Sequence, residues 1–387
     1  MHLFGDEEIE AAVQVLSGRR LFRYDSEGEA VAFERELAAR IGVPQALLVS
    51  SGTAALVCAL AGLGIGPGDE VILPAYGYVA DPLAVLAVGA VPVVCEIDDT
   101  LTIDVADLER KIGPRTAAIV PIHVNGFPCN MDAVIAIAAR RGVHVVEDVC
   151  QAMGGCWRGR PLGAFGAAGV FSFNQYKILT AGEGGALVTA DRATFERAFI
   201  EHDGSCGHGG PRLREPLYAG LAFRATEITA AILRVQLRKL DRILAGLRRC
   251  RDEIVATMEE GAGGVSRAPS HDRDGECGSI VAYRFPDADA AGEFCRLARA
   301  AGVEAFRGHR FLHSYPEWRF LFSRRGAHHP ARNPIADRSY DPSACPATAR
   351  ILSETALMAC RLDLPPAAVA ALPAIARSVT APLRCPS

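Results

Sequence analysis

The sequence predicts an α/β protein: a large domain built on a mostly parallel β-sheet, followed by a smaller C-terminal α/β domain. Three observations carry this. Short continuous apolar runs (VILP, VPVV, AAIV, VHVV) alternate with helix-length stretches up to Asp148. Strands read this way, with little polar alternation, when helices cover both faces of a parallel sheet. The chain has 387 residues, half of them hydrophobic, which is more than one compact core usually holds. The composition shifts near Asp252, beyond which SIVAYRFPDADAAGEFCRLARAAGVEAF reads as strand, helix, strand. The expected division is therefore 1–250 and 251–387.

Taken in order, Asp6 to Leu16 reads as an amphipathic helix with acidic residues in its first turn, which suits the helix dipole. LFRYDSEG is a polar connection, and Glu29 to Ile41 is a second helix ended by Gly42. The strand ALLVS runs into SSGTAALVCALAGLGI, where Ser50, Ser51, Gly52 and Thr53 form a turn at the start of an Ala-rich helix. Such a junction presents free backbone N–H groups, and the dipole adds to their pull on an anion. Alone, the same pattern is an ordinary capped helix start. VILP is a strand leading through an aromatic loop (Tyr76, Tyr78) to an apolar helix, and VPVVCEID is the next strand. After a helix around Ala106 to Ile112, TAAIVPIHVNGFP is a strand with His123, Asn125 and Gly126 at its exit. Met131 to Arg141 is a helix, and VHVVEDV a strand carrying Asp148. GVFSF and GALVTA flank a loop holding Lys177 and then Gly182, Gly184 and Gly185, as an antiparallel finish to the sheet.

A helix over Arg192 to Glu201 precedes the glycine-rich HDGSCGHGGPR. His202, Cys206 and His208 there lack further ligands at zinc-site spacing, so no metal is expected. Ala225 to Arg251 is a long helical region joining the two domains. Arg307 to Tyr340 is loop-rich, with His309, His313, His328, His329 and many arginines. A loop of that length inside a domain is usually functional. Its basic part is a candidate for phosphate or a nucleotide diphosphate, although basic loops are more often simply solvated. Two helices, Pro346 to Ala359 and Pro366 to Val379, close the chain.

The formal net charge of -4 gives no electrostatic case for nucleic acid or an anionic membrane. The opening MHLFGDEEIEAAVQVL is acidic and helical in pattern, unlike a signal peptide, and no apolar run is long enough to span a bilayer. A cytoplasmic location is expected. The 12 cysteines are scattered with no CxxC pair, so reduced thiols are expected.

Ligands collect at the carboxyl ends of parallel strands. Asp148, His123, Tyr76 and Tyr78 lie just past such ends. Most lone lysines are solvated surface groups, but Lys177 lies between two apolar strands and beside glycines. A lysine that loses its charge in a pocket becomes a nucleophile toward carbonyl carbon. Pyridoxal phosphate needs such a lysine for its aldehyde, a carboxylate to keep its ring nitrogen protonated, an anion cradle and a flat partner for the ring. The chain offers Lys177, Asp148, the Gly52–Thr53 turn with Ser172, and Tyr78.

These stretches resemble one family over nearly the whole chain. GDEEIEAAVQVLSG, SSGTAAL, VILPAYGYVAD, PIHVNGFPCNMD, VVEDVCQAMGG, FSFNQYKILTAGEGG and FRATEITAAILRVQL are similar to the DegT/DnrJ/EryC1/StrS family of pyridoxal-phosphate-dependent sugar aminotransferases. The resemblance implies an aspartate-aminotransferase-type fold working as a homodimer with active sites at the subunit interface. It implies that Lys177 is the Schiff-base lysine, Asp148 the pyridinium partner, and Gln151 the contact on the ring's hydroxyl side. It further implies that Ser172, Gly52 and Thr53 bind the phosphate and Tyr78 stacks on the ring. His313, in FLHSYPEW, falls where many members place a substrate-side histidine. In GLAFRATE, Ala222 stands where the family often has an Asn that reaches the neighbouring subunit's phosphate, so Arg224 or a group in the His202–Arg212 loop is expected to replace it.

The implied reaction moves an amino group from Glu or Gln to a keto sugar or keto-cyclitol, as in amino-sugar and aminocyclitol antibiotic assembly. Family members that dehydrate their substrates carry His in place of the lysine, so Lys177 argues for transamination. The competing readings are another pyridoxal phosphate reaction, dehydration or elimination, and a non-catalytic regulatory member.

Overall fold

The computed structural model describes residues 3–24, 27–205, 213–308, 312–326 and 333–380. Cys206, His208, His309, His328 and His329 lie outside the described residues, as does most of the His202–Arg212 loop.

The chain opens with two helices, α1 (Asp6–Gly18) and α2 (Glu29–Ile41), and enters the sheet at β1 (Gln45–Val49). The alternation that follows is α3 (Gly52–Gly62), β2 (Glu70–Pro74), α4 (Ala80–Ala87), β3 (Val91–Cys95), α5 (Val105–Lys111), β4 (Thr116–Ile119), α6 (Met131–Arg141) and β5 (His144–Asp148). A two-residue-per-strand hairpin, β6 (Cys156–Trp157) and β7 (Arg160–Pro161), precedes β8 (Ala168–Ser172), β9 (Gly185–Thr189) and α7 (Arg192–His202). The large sheet has the order β1-β9-β8-β5-β4-β2-β3. Pairing from β8 through β5, β4 and β2 to β3 is parallel, while β9 runs antiparallel to both β8 and β1. The parallel core and its antiparallel finish thus match the sequence pattern.

Period-two alternation divides two cores across this sheet. Leu47 and Val49 join α3, α4 and α7 on one face, whereas Leu48 joins α2 and α6 on the other. Both faces are dry, which is why the strands carry almost no polar residues.

The second unit follows α8 (Glu227–Gly261), a 35-residue helix. It comprises β10 (Ser266–Arg267), β11 (Ile280–Arg284), α9 (Ala288–Ala300), β12 (Ala305–Arg307), α10 (Arg319–Phe322), α11 (Pro346–Glu354), β13 (Thr355–Ala359) and α12 (Pro366–Thr380). Its sheet order is β10-β11-β13-β12, all antiparallel. The expected helix over Pro346 to Ala359 is corrected here: it stops at Glu354, and Thr355–Ala359 is a fully buried strand between β11 and β12. β11 offers TALMA backbone partners along its whole length and β12 along its three central residues, and this outweighs the helical propensity of Ala, Leu and Met. The helix expected over Ala225 to Arg251 instead continues to Gly261, so residue 250 falls inside it. None of the described helices is long and apolar enough to cross a membrane.

Candidate active site

The carboxyl ends of β2, β4, β5 and β8 converge on a cavity of about 650 Å³. It is lined by residues from both sheets: Gly52, Thr53, Tyr78, Asn125, Asp148, Gln151, Ser172, Lys177 and His313, with Ser279 and Ile280 from the small domain. Eight of the nine residues proposed from the sequence therefore meet in one place. Arg224 does not line this cavity; its Nη1 donates to Asp203 Oδ1 at 2.5 Å.

The anion end is built at the start of α3. Ser51 caps the helix, its Oγ accepting the Ala54 N–H at 3.1 Å, which leaves the N–H groups of the first turn facing the cavity. Ser172, at the end of β8, lies directly alongside: a Cβ added to Gly52 would fall 2.8 Å from Ser172 Cβ. Gly185 allows the second close approach, since a Cβ there would fall 2.3 Å from the Ser51 carbonyl. Two strands and a helix end can crowd together here because side chains are missing at both positions.

The Lys177 loop is tightly tied. Phe173 N–H donates to Gly184 O at 2.9 Å, Gln175 N–H to Gly182 O at 3.0 Å, and Lys177 N–H to Asn174 O at 2.9 Å. Asn174 Nδ2 donates to Glu183 Oε1 at 3.0 Å. Gly182 takes φ +83°, a region costly for residues with a Cβ. The glycines after the lysine thus close a hairpin-like loop that aims Lys177 into the cavity. Of the other two lysines in the chain, Lys239 is held by Glu7 and Glu8, far along α8.

Asp148 is 4% exposed, and its Oδ1 accepts the Cys150 N–H at 2.7 Å. The adjacent Glu147 points to the opposite face of the strand, where it accepts N–H bonds from Gly163, Phe165 and Gly166 at 2.8, 2.6 and 2.8 Å. The Cys150 thiol is pushed well up by burial and by the Asp148 carboxylate, so it stays neutral beside the site.

The aromatic end is an irregular ribbon. Gly77 and Val79 N–H groups donate to His313 and Leu312 carbonyls at 2.9 and 3.0 Å, and Tyr315 N–H donates to Ala75 O at 2.8 Å. This pairing lays His313 against Tyr78, with ring centroids 5.1 Å apart. His123, though at a strand exit, does not reach the cavity. It is fully buried, its Nδ1 accepts the Cys129 N–H at 3.1 Å, and its Nε2 lies 3.5 Å from Glu147.

Two residues beside the site were given no role from the sequence. Asn125 takes φ +55° and joins three parts of it: Nδ2 donates to Tyr76 Oη (2.8 Å), N–H to Gln151 Oε1 (3.0 Å), and its carbonyl accepts Ser279 Oγ (3.0 Å). Its place in an N-G pair after a strand was the available signal. Asp81, in the first turn of α4, is 1% exposed and lies behind Asp148. Nothing near it in the chain announces that partner.

The donor set fits pyridoxal 5′-phosphate. There is one lysine, one buried carboxylate facing it across the cavity, a helix start with a neighbouring hydroxyl for the phosphate, and an aromatic ring at the mouth. Glycine at position 52 leaves space that a Cβ would fill. Among the described residues no cluster suits a metal ion, and His202 is engaged elsewhere, its Nε2 3.1 Å from Arg23 Nη1.

The chain is 38% identical over 248 residues to 3-amino-5-hydroxybenzoate synthase of Amycolatopsis mediterranei, covering 62% of this chain and 63% of that protein. It is 43% identical over 238 residues to dTDP-3-amino-3,4,6-trideoxy-alpha-D-glucose transaminase of Streptomyces venezuelae, covering 60% and 61%. The sequence matches thus span under two thirds of those relatives' lengths. The crystal structure of a 3-amino-5-hydroxybenzoic acid synthase superposes with a TM-score of 0.82 at 30% identity, covering 97% of this chain and 96% of that one. The profile of the DegT/DnrJ/EryC1/StrS aminotransferases matches residues 3–351, and the chain belongs to that pyridoxal-phosphate-dependent family.

Proposed function

We propose that the protein is a pyridoxal-phosphate-dependent aminotransferase that moves an amino group from Glu or Gln to a keto sugar or keto-cyclitol, in the assembly of an amino-sugar or aminocyclitol antibiotic. The observation that carries this is the convergence of Lys177, Asp148, Gln151, Ser172 and the Gly52–Thr53 turn on one cavity. The bound cofactor supplies an aldehyde carbon for amine exchange and a ring that accepts electron density. Lys177 would hold that aldehyde, and its free amine would be the base that moves a proton at the donor's α-carbon. Asp148 would keep the ring nitrogen protonated, and the α3 N–H groups with Ser172 would anchor the phosphate. Tyr78 would pack on the ring, and Gln151, whose Oε1 accepts the Asn125 N–H, would meet its hydroxyl side. The donor's C–N bond becomes C=O and the acceptor's C=O becomes C–N, so no external oxidant is needed and the two substrates alternate in one site.

The division of labour follows the two sheets. The region up to about residue 250 binds the cofactor, and the region from 251 contributes to substrate choice through Ser279, Ile280 and the neighbouring His313.

The protein works as a cytoplasmic homodimer. Ile9, Val13 and Leu16 form one apolar face of α1 that is more than half exposed, and Phe4 and Phe22 are exposed to the same degree. Tyr176, beside Lys177, is 82% exposed, and Leu217 and Leu221 are likewise bare. A second copy covers such surface and closes the mouth of the site. Arg224, two residues beyond Ala222 and held by Asp203, is then the cation available to the partner's phosphate.

Borohydride reduction of the cofactor-loaded protein, followed by peptide mass analysis, is expected to place the adduct on Lys177, and Lys177→Ala to lack it. Exposure to Glu or Gln should convert the cofactor to its amine form, and a keto-sugar or keto-cyclitol panel should then yield an amine product by mass. Absence of any adduct sinks the enzyme reading, whereas an adduct that neither donor converts points to dehydration or elimination.

A further inference from the structure

Asp81 is a buried acid with little to bond to. It is 1% exposed, and neither of its carboxyl oxygens meets a hydrogen-bond donor from another residue among the described residues. What it does meet is the carboxyl of Asp148, across from the first turn of α4. Two buried carboxylates in contact cannot both stay ionised, and one retains a proton. The environment decides which. Asp148 Oδ1 already accepts the Cys150 N–H at 2.7 Å, a bond that favours the anion. Asp81 meets only the N–H of its own backbone, and a proton on one of its own oxygens is what allows it to bond to Asp148.

We propose that Asp81 is a positioning residue: a neutral carboxylic acid that donates its O–H to Asp148, so that the pair carries one negative charge, aimed at the ring nitrogen. This rests on the pyridoxal phosphate reading of the cavity. The groups facing Asp81 agree with it. Burial raises its pKa well above the usual carboxylate value, the charge and hydrogen bond of Asp148 raise it further, and its own backbone N–H and Lys177 pull the other way. The Cys150 thiol stays neutral on the same carboxylate. The chemical effect is on Asp148. A neutral donor spreads the carboxylate charge over the pair, which faces the ring nitrogen as a single anion and favours its protonated form, the one that makes the ring an electron sink.

The first test needs no cofactor. A native pKa above the unfolded value of 3.8 means that the wild-type apoprotein loses stability as pH rises from about 4 toward the native pKa, because ionisation is easier in the unfolded chain. Asp81→Asn keeps a donor toward Asp148 and has no proton to lose. Its unfolding constant relative to wild type should fall by about tenfold for each pH unit in that window. Parallel stability profiles for the two proteins would overturn the proposal. The second test follows the ¹⁵N signal of ring-labelled pyridoxal phosphate. Asp81→Asn should match wild type, and Asp81→Leu should move the signal toward the unprotonated ring. A signal unmoved in Asp81→Leu also refutes the idea. If wild type binds no cofactor, the aminotransferase reading fails, while the apoprotein profiles still decide whether Asp81 holds the proton.

Discussion

Replacing Gly52 with Ala tests the construction of the anion end. The added methyl would lie 2.8 Å from Ser172 Cβ, 3.0 Å from Cys150 Sγ and 3.3 Å from Ser172 Oγ, all inside ordinary carbon contact distance. Ser172 cannot easily yield, because β8 is bonded to both β5 and β9. The start of α3 must move instead, which carries the Gly52 and Thr53 N–H groups away from the hydroxyl they face. Overpacking of this kind costs about 1–3 kcal/mol. Urea unfolding of the apoprotein should show that loss with the m-value unchanged. If about 1.4 kcal/mol of it falls on the phosphate site, the cofactor's dissociation constant rises roughly tenfold. Adding Ser172→Gly removes two of the three contacts and should recover at least half of the lost stability, but not the cofactor affinity, since the hydroxyl is gone. A Gly52→Ala protein within about 0.3 kcal/mol of wild type with unchanged affinity would refute the reasoning, because such changes are what ordinary surface substitutions give.

Further outcomes follow from buried groups. Burial and the neighbouring Arg23 depress the pKa of His202 to about 3, so the native state refuses a proton that the unfolded chain accepts below 6.5. Stability should therefore drop as pH falls from 6.5 toward 3, by at most about 5 kcal/mol. His202→Gln should flatten that part of the profile, and an unflattened acid limb in denaturant titrations counts against it. Asn125→Ala loses the Tyr76 hydrogen bond and puts Ala at φ +55°, a combined loss of about 2 kcal/mol, whereas Asn125→Gly loses only the bond, about 1 kcal/mol. Calorimetry that ranks the two the other way would show that backbone conformation at this position is not what matters.

The large sheet was legible because each strand is buried on both faces, and the resulting apolar runs cannot be mistaken for solvent-facing segments. Asp148 and Lys177 stood out for the same reason, as polar residues at the ends of such runs. Thr355–Ala359 was misread because a short apolar run continuous with a helix carries no period of its own; its strand pairing comes from Ile280–Arg284 and Ala305–Arg307, distant in the chain. Asp81 escaped notice because its partner lies two strands away, and an acid in a first helical turn has an ordinary local explanation. Arg224 illustrates the converse: its place in a motif says nothing of which way its guanidinium is held, and Asp203 decides that.

The 35-residue α8 has a mechanical consequence. Its first half packs on α1 and α2 and its second half on β11 and α12, so one rod about 52 Å long belongs to both sheets. No proline interrupts it, and at Gly246 it presses so closely on Leu362 that an added methyl would lie 2.3 Å away. Tilting the small sheet would have to bend this rod. Ser279 and Ile280 therefore stand at a set distance from Lys177, and the cavity gauges a substrate against a fixed bore, like a caliper locked at one opening.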